Sequence, residues 1–135
     1  MDQGESIRRL IRHSKTIAVV GLSSKEQRAG YYVPAYLQEA GYRIIPVNPN
    51  LDQALGEKAY PDLSSIQEPI DLVQIFRRVE EIPAVVNEAI EIGAKGIWMQ
   101  LGIVHEEAAK SARDAGLEVV MDACMMVEHR KAALN

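Results

Sequence analysis

The sequence predicts an α/β fold of three layers, a five-stranded parallel sheet with helices on both faces, in a single domain over residues 1–135. Three observations predict it. Short β-branched runs alternate along the chain with longer amphipathic ones. The short runs are apolar at nearly every position, the pattern of strands covered on both faces. Several amphipathic runs stop at a glycine, a common residue just past a helix end.

Taken in order, Ser6 to His13 predicts an opening helix and Thr16 to Gly21 the first strand. Val33 to Ala40 predicts a helix closed by Gly41. Tyr42 to Val47, "YRIIPV", is the second strand, with Pro46 near its end because proline cannot donate to a ladder. Ile70 to Phe76 is the third strand. Val79 to Ile92 follows as a helix, with Ile82, Val85, Val86, Ala89 and Ile90 at helical spacing. Glu80 and Glu81 suit the positive end of its dipole. Gly96 to Leu101 is the fourth strand, His105 to Ala115 a helix, Leu117 to Met121 the fifth strand and Met125 to Leu134 a closing helix. Such alternation implies right-handed crossovers. The expected strand order is 3-2-1-4-5, a Rossmann-like arrangement.

Composition narrows the function. Hydrophobic residues at 47% and charged residues at 25% are ordinary for a soluble globular chain. A net charge of -4 without a basic stripe argues against nucleic acid as the main partner. The start, MDQGESIRRL, lacks a secretory apolar core, and no apolar run is long enough to span a bilayer, so no membrane role is expected. The one cysteine, Cys124, cannot form an internal disulfide, which fits a reducing cytoplasm.

A doubly wound sheet binds its ligand outside the carboxyl ends of the strands. Four loops therefore matter. The first, "GLSSKEQRAG", opens on Gly21, where the chain can turn tightly or let a ligand approach. Ser23 and Ser24 offer hydroxyls, Lys25 and Arg28 offer charge, and the next helix start favours an anion. The bland alternative is a solvated loop whose serines cap a helix. The loop keeps only the first glycine of the dinucleotide pattern, and a Walker-type P-loop is absent.

The second loop, "PVNPN", has Asn48 where a NAD-binding fold usually has an acid for the ribose hydroxyls. Its prolines stiffen the backbone, so it either frames a nucleoside or is only a turn. Asp52 lies close by and keeps a NAD reading open. The third, "FRRVEE", brings Arg77 and Arg78 to a strand end, where guanidiniums suit phosphate. Pairing with Glu80 and Glu81 is the alternative. The fourth, "WMQLGIVHEEA", offers Gln100 and Gly102, while His105 reads as a polar helix start and Trp98 as core. Near the end, Cys124, Glu128 and His129 lack the partners of a zinc or nucleophile set, and read as a buried thiol beside an exposed pair. His13 reads as surface.

The segments "IAVVGLSSK", "GYRIIPVNP", "DLVQIFRR", "GIWMQLGI" and "DACMMVEH", in that order, resemble the stand-alone CoA-binding Rossmann domains over nearly the whole chain. These are similar to the N-terminal CoA-binding domain of the succinyl-CoA synthetase α subunit. The resemblance implies coenzyme A bound across the strand ends, with Ser23, Ser24 and Lys25 at its phosphates. It implies Val47, Asn48 and Pro49 near the adenosine, Phe76, Arg77 and Arg78 on the third loop, and Gln100 and Gly102 toward the pantetheine. Asn48 agrees with this physically, because an acid there would repel the 3′-phosphate of the CoA ribose. Family members often carry an arginine after the C-terminal aspartate, where this chain has Ala123. The synthetase's phosphohistidine chemistry belongs to a further domain, so ligase activity is not expected to come with the fold. The expected function is binding of CoA or an acyl-CoA without catalysis. The alternative is a NAD(P)-binding oxidoreductase or enzyme subunit. A receiver-like signalling domain would need acidic residues where Leu22, Ser23 and Phe76 stand.

Overall fold

The computed structural model describes residues 2–134. Five strands form one wholly parallel sheet: β1 (Thr16–Val20), β2 (Arg43–Val47), β5 (Leu72–Ile75), β6 (Gly96–Met99) and β7 (Glu118–Val120). A separate two-stranded hairpin, β3 (Gln53–Ala54) with β4 (Glu57–Lys58), lies between β2 and β5. The helices are α1 (Gln3–His13), α2 (Ala29–Glu39), α3 (Ile82–Glu91), α4 (Glu106–Asp114) and α5 (Met125–Ala133).

Both sheet faces are apolar because alternate strand residues face different helix layers. Ile17, Val19, Ile44, Leu72, Trp98 and Val120 pack under α1, α2 and α5, through Leu10, Val33, Leu37 and Met125. Ala18, Val20, Ile45, Val47, Val73, Ile75, Ile97 and Met99 pack under α3 and α4, through Val86, Ala89, Ala108, Ala109 and Ala112. Trp98 is fully buried and its Nε1 donates to the Ala123 carbonyl at 2.8 Å, so it is core, as its sequence context suggests. Gln74, in register with Val19 and Trp98, is also fully buried, yet both its amide atoms lack a partner among the described residues.

The α/β class and the parallel five-stranded sheet agree with expectation; the strand order does not. The order is β2-β1-β5-β6-β7, which is 2-1-3-4-5 in long strands rather than 3-2-1-4-5. Pro46 explains the difference. It lies inside β2, opposite Val19, and its carbonyl faces away from β1 to accept Tyr60 N–H at 2.9 Å. Its missing N–H faces the same outer side. The proline removes one ladder donor from that side, which favours an edge. The pairing found there is short, an isolated bridge of Val47 with Tyr60 in which the Asn48 N–H donates to the Tyr60 carbonyl at 2.9 Å. The chain therefore crosses β1 and adds β5 on the far side. No α-helix makes that crossing. The hairpin leads into a short 3-10 turn, Leu63–Ser65, and Leu63, Ile66 and Ile70 cover the α3/α4 face beside Ile45 and Val47.

Candidate functional site

This order puts the topological switch between β1 and β5, where the chain leaves the sheet in opposite directions, and the crevice should lie there. It does. A cleft of about 670 Å³ opens at the carboxyl ends of β2, β1, β5 and β6.

Its floor depends on Gly21. The residue has φ +88°, and its N–H donates to the Val47 carbonyl at 2.9 Å. A Cβ there would stand 2.3 Å from the Phe76 carbonyl oxygen and 3.4 Å from Arg77 Cδ. Only glycine permits both the turn and this approach. Leu22 then anchors the loop, fully buried under α2 and α5.

The wall is tied by an unusual bond. Pro34 sits inside α2, so no N–H is available at that position for the Gly30 carbonyl four residues back. That carbonyl instead accepts Ser23 N–H at 3.0 Å. Ser23 Oγ in turn accepts Lys25 N–H at 3.0 Å. Arg28 is the N-cap of α2 and makes no side-chain cap bond. Asn48 ties the second wall to the first: its Nδ2 donates to the Leu22 carbonyl at 2.9 Å, and its Oδ1 accepts Asn50 N–H at 2.8 Å. An aspartate would set a carboxylate against the Leu22 carbonyl, so this position demands an amide on structural grounds alone.

The cleft brings together Gly21, Ser23, Ser24, Lys25 and Arg28 from the first loop. Asn48, Phe76, Arg77, Arg78 and Gln100 join them. Lys25, Arg28, Arg77 and Arg78 make no ion pair with any carboxylate among the described residues. The pairing of Arg77 or Arg78 with Glu80 or Glu81 is therefore not formed. Gln100 is 4% exposed, and its Oε1 has no partner among the described residues.

Three expected residues lie outside the lining. Val47 is buried in the core and contributes its carbonyl to Gly21. Pro49 is exposed beside the cleft. Gly102, at φ +85°, gives its N–H to Asp122 Oδ1 at 2.7 Å and so fixes the loop after β6. The lining also includes Ala29, Asn50, Leu51, Glu81, Leu101 and Ile103, which sequence reasoning missed. Leu51 and Ile103 resemble stray core residues in sequence; Ala29 was overlooked because α2 begins before the expected Val33.

The remaining motif residues serve the fold. His105 Nδ1 accepts Ala108 N–H at 3.1 Å, capping α4. His129 Nδ1 meets Tyr36 OH at 2.8 Å, with the rings of Tyr36 and Tyr42 edge-on to it. Glu128 pairs with Lys131 at 3.3 Å. Cys124 is half-buried against the α1/α2/α5 core. No group of three or more His, Cys, Asp or Glu among the described residues could hold a metal.

Residues 15–130 match the CoA binding domain family. The chain belongs to that family. Among curated relatives of this CoA-binding domain, an uncharacterized protein of Bacillus subtilis, YneT, is 46% identical over 123 residues, 91% of each chain. The ADP-forming acetate–CoA ligase II of Archaeoglobus fulgidus is 31% identical over 102 residues, which are 74% of this chain and 15% of the ligase. Among solved structures, Prb, the PH1109 protein redesigned for binding, superposes with a TM-score of 0.95 at 38% identity, over 100% of this chain and 95% of that one. A hypothetical protein from Pyrococcus horikoshii gives 0.90 at 40% identity, over 94% and 89%.

Proposed function

We propose that this chain binds coenzyme A along the carboxyl edge of its sheet, as one CoA-binding domain of the cytoplasm without catalysis of its own. The observation that carries the reading is the set of unpaired cations, Lys25, Arg28, Arg77 and Arg78, around a floor that only glycine permits. In a chain of net charge -4, cations held apart from carboxylates at a switch point suit a polyanion.

The order of chemistry across the sheet supports a nucleotide with an extended arm. Asn50 and Leu51 lie beyond β2, hydroxyls and cations beyond β1 and β5, and Gln100, Leu101 and Ile103 beyond β6. With strands about 4.8 Å apart, this series spans about 14 Å. Adenosine suits the β2 end, as in other doubly wound nucleotide sites, with the diphosphate over the switch point and the pantetheine toward β6. Asn48 leaves no carboxylate to repel a ribose 3′-phosphate. No histidine or cysteine stands among the described lining residues, so the cleft offers no thiol and no imidazole base to activate the hydroxyls of Ser23 and Ser24.

The test is thermal unfolding with CoA, acetyl-CoA, NAD and NADP. A ligand specific to the folded state raises the melting temperature. A rise with CoA species is expected. No rise with any of them at millimolar concentration, or a rise with NADP alone, would overturn the reading, the latter in favour of a NAD(P)-binding enzyme or subunit.

A further inference from the structure

The cationic and uncharged ends of the cleft differ in a way that names more of the ligand. Large apolar side chains exposed to water are few, yet three lie on the loops after β5 and β6, which are neighbours in the sheet. Leu101 is 67% exposed, Val79 46% and Val104 43%. Leu101 and Ile103 line the cleft itself. From Gln100 to Val104 there is no charge, and the one carboxylate in the lining is Glu81. The Gln100 Oε1, buried without a partner beside this rim, calls for an N–H donor.

From this we infer that the β6 end of the cleft receives the acyl arm of a neutral acyl-CoA thioester, in preference to free CoA or a carboxyacyl-CoA. The inference rests on the CoA reading above. An amide N–H of the pantetheine satisfies Gln100 Oε1, and the acyl chain lies along Leu101, Ile103 and Val104. A terminal carboxylate would find no cation on the Gln100–Val104 segment and would share the lining with Glu81, while Arg77 and Arg78 on the neighbouring β5 loop are taken by the diphosphate in the reading above. No covalent step is involved.

Isothermal titration of the full chain with CoA, acetyl-CoA, butyryl-CoA and succinyl-CoA tests this. Butyryl and succinyl groups have the same number of carbons and differ in charge. Each buried methylene strengthens binding up to about fourfold, so butyryl-CoA should bind about 4- to 16-fold tighter than acetyl-CoA. Succinyl-CoA should bind no tighter than acetyl-CoA. Leu101→Ser should bring the butyryl-to-acetyl ratio toward one, and Val104→Ser should lower it less. Equal affinity for CoA, butyryl-CoA and succinyl-CoA would overturn the acyl preference and leave the CoA reading intact, and the apolar rim would then face something other than the ligand. Binding of none of them would overturn the CoA reading itself.

Discussion

At the amino ends of the strands, charge is matched locally. Arg43 lies between Glu57 at 3.0 Å and Glu68 at 2.6 Å. Asp71 Oδ2 accepts the N–H groups of Lys15 and Thr16, each at 2.9 Å, and Lys95 stands 3.6 Å from its other oxygen. Arg9 pairs with Glu118 at the start of β7. At the carboxyl ends, Lys25, Arg28, Arg77 and Arg78 crowd one cleft with no such match. Like charges brought together without partners weaken a fold. The amino end thus has its charges matched within the fold, and the carboxyl end leaves its cations without carboxylate partners among the described residues.

The sharpest break of that contrast is Gly21→Ala. The new Cβ meets the Phe76 carbonyl at a backbone angle that L residues avoid, and we expect a loss of about 3 kcal/mol or more. Urea unfolding measures it. A smaller loss would mean that β1 and β5 separate freely at the switch point.

Next comes a matched pair. Arg77→Ala should weaken CoA by about 1.5–3 kcal/mol, roughly 10- to 150-fold, while leaving the melting temperature nearly unchanged. Arg43→Ala should do the reverse, costing at most about 1 kcal/mol of stability because its ion pairs are exposed, with CoA affinity intact. Titration and melting of the two variants side by side would show whether function and stability divide between the sheet ends. Using dephospho-CoA beside CoA sharpens the first arm. If Lys25 meets the 3′-phosphate, Lys25→Ala should weaken CoA more than dephospho-CoA, whereas Arg77→Ala at the switch point should weaken both alike.

The smallest effect concerns pH. Burial pushes the Asp71 carboxyl up, but the N–H groups of Thr16 and Lys15 and the charge of Lys95 outweigh it, so its pKa lies below the ordinary 3.8. A carboxyl depressed in the folded state stabilises above its unfolded pKa, and loses that contribution as pH falls through the folded value. Asp71→Asn should therefore cost about 1 kcal/mol near neutrality. The gap from the parent should close as pH falls below about 4. A gap that stayed constant with pH would assign the effect to packing.

Much of this was legible in the sequence because the relevant signals are local. Continuous apolar runs mark the strands, and glycines after amphipathic runs mark helix ends. The loops at the carboxyl ends follow from those two patterns, and they carry the cations. What escaped depends on contacts between distant segments. Pro46 carries an edge signal, since a proline within a strand favours an edge, but in sequence alone it reads equally well as a strand end. The start of α2 was hidden by Gly30 and Pro34, both poor helix residues. The bonds of Asn48 could not be seen because Leu22 lies 26 positions away in sequence. Leu101 escaped because an apolar residue at a strand end reads as core until its exposure is known.

Pro34 carries a consequence of its own. It is buried, five residues past the start of a helix, and does not line the cleft. Yet the carbonyl it leaves unclaimed is the one that holds Ser23. A residue usually regarded as a fault in a helix here reserves an acceptor for the neighbouring loop. An alanine at that position would restore a competing donor to the helix. The cleft loop would then sample more conformations before ligand arrives, and ordering them would be charged to binding. Position 34 is thus coupled to the cleft loop through the Gly30 carbonyl, a route that no inventory of cleft-lining residues would reveal.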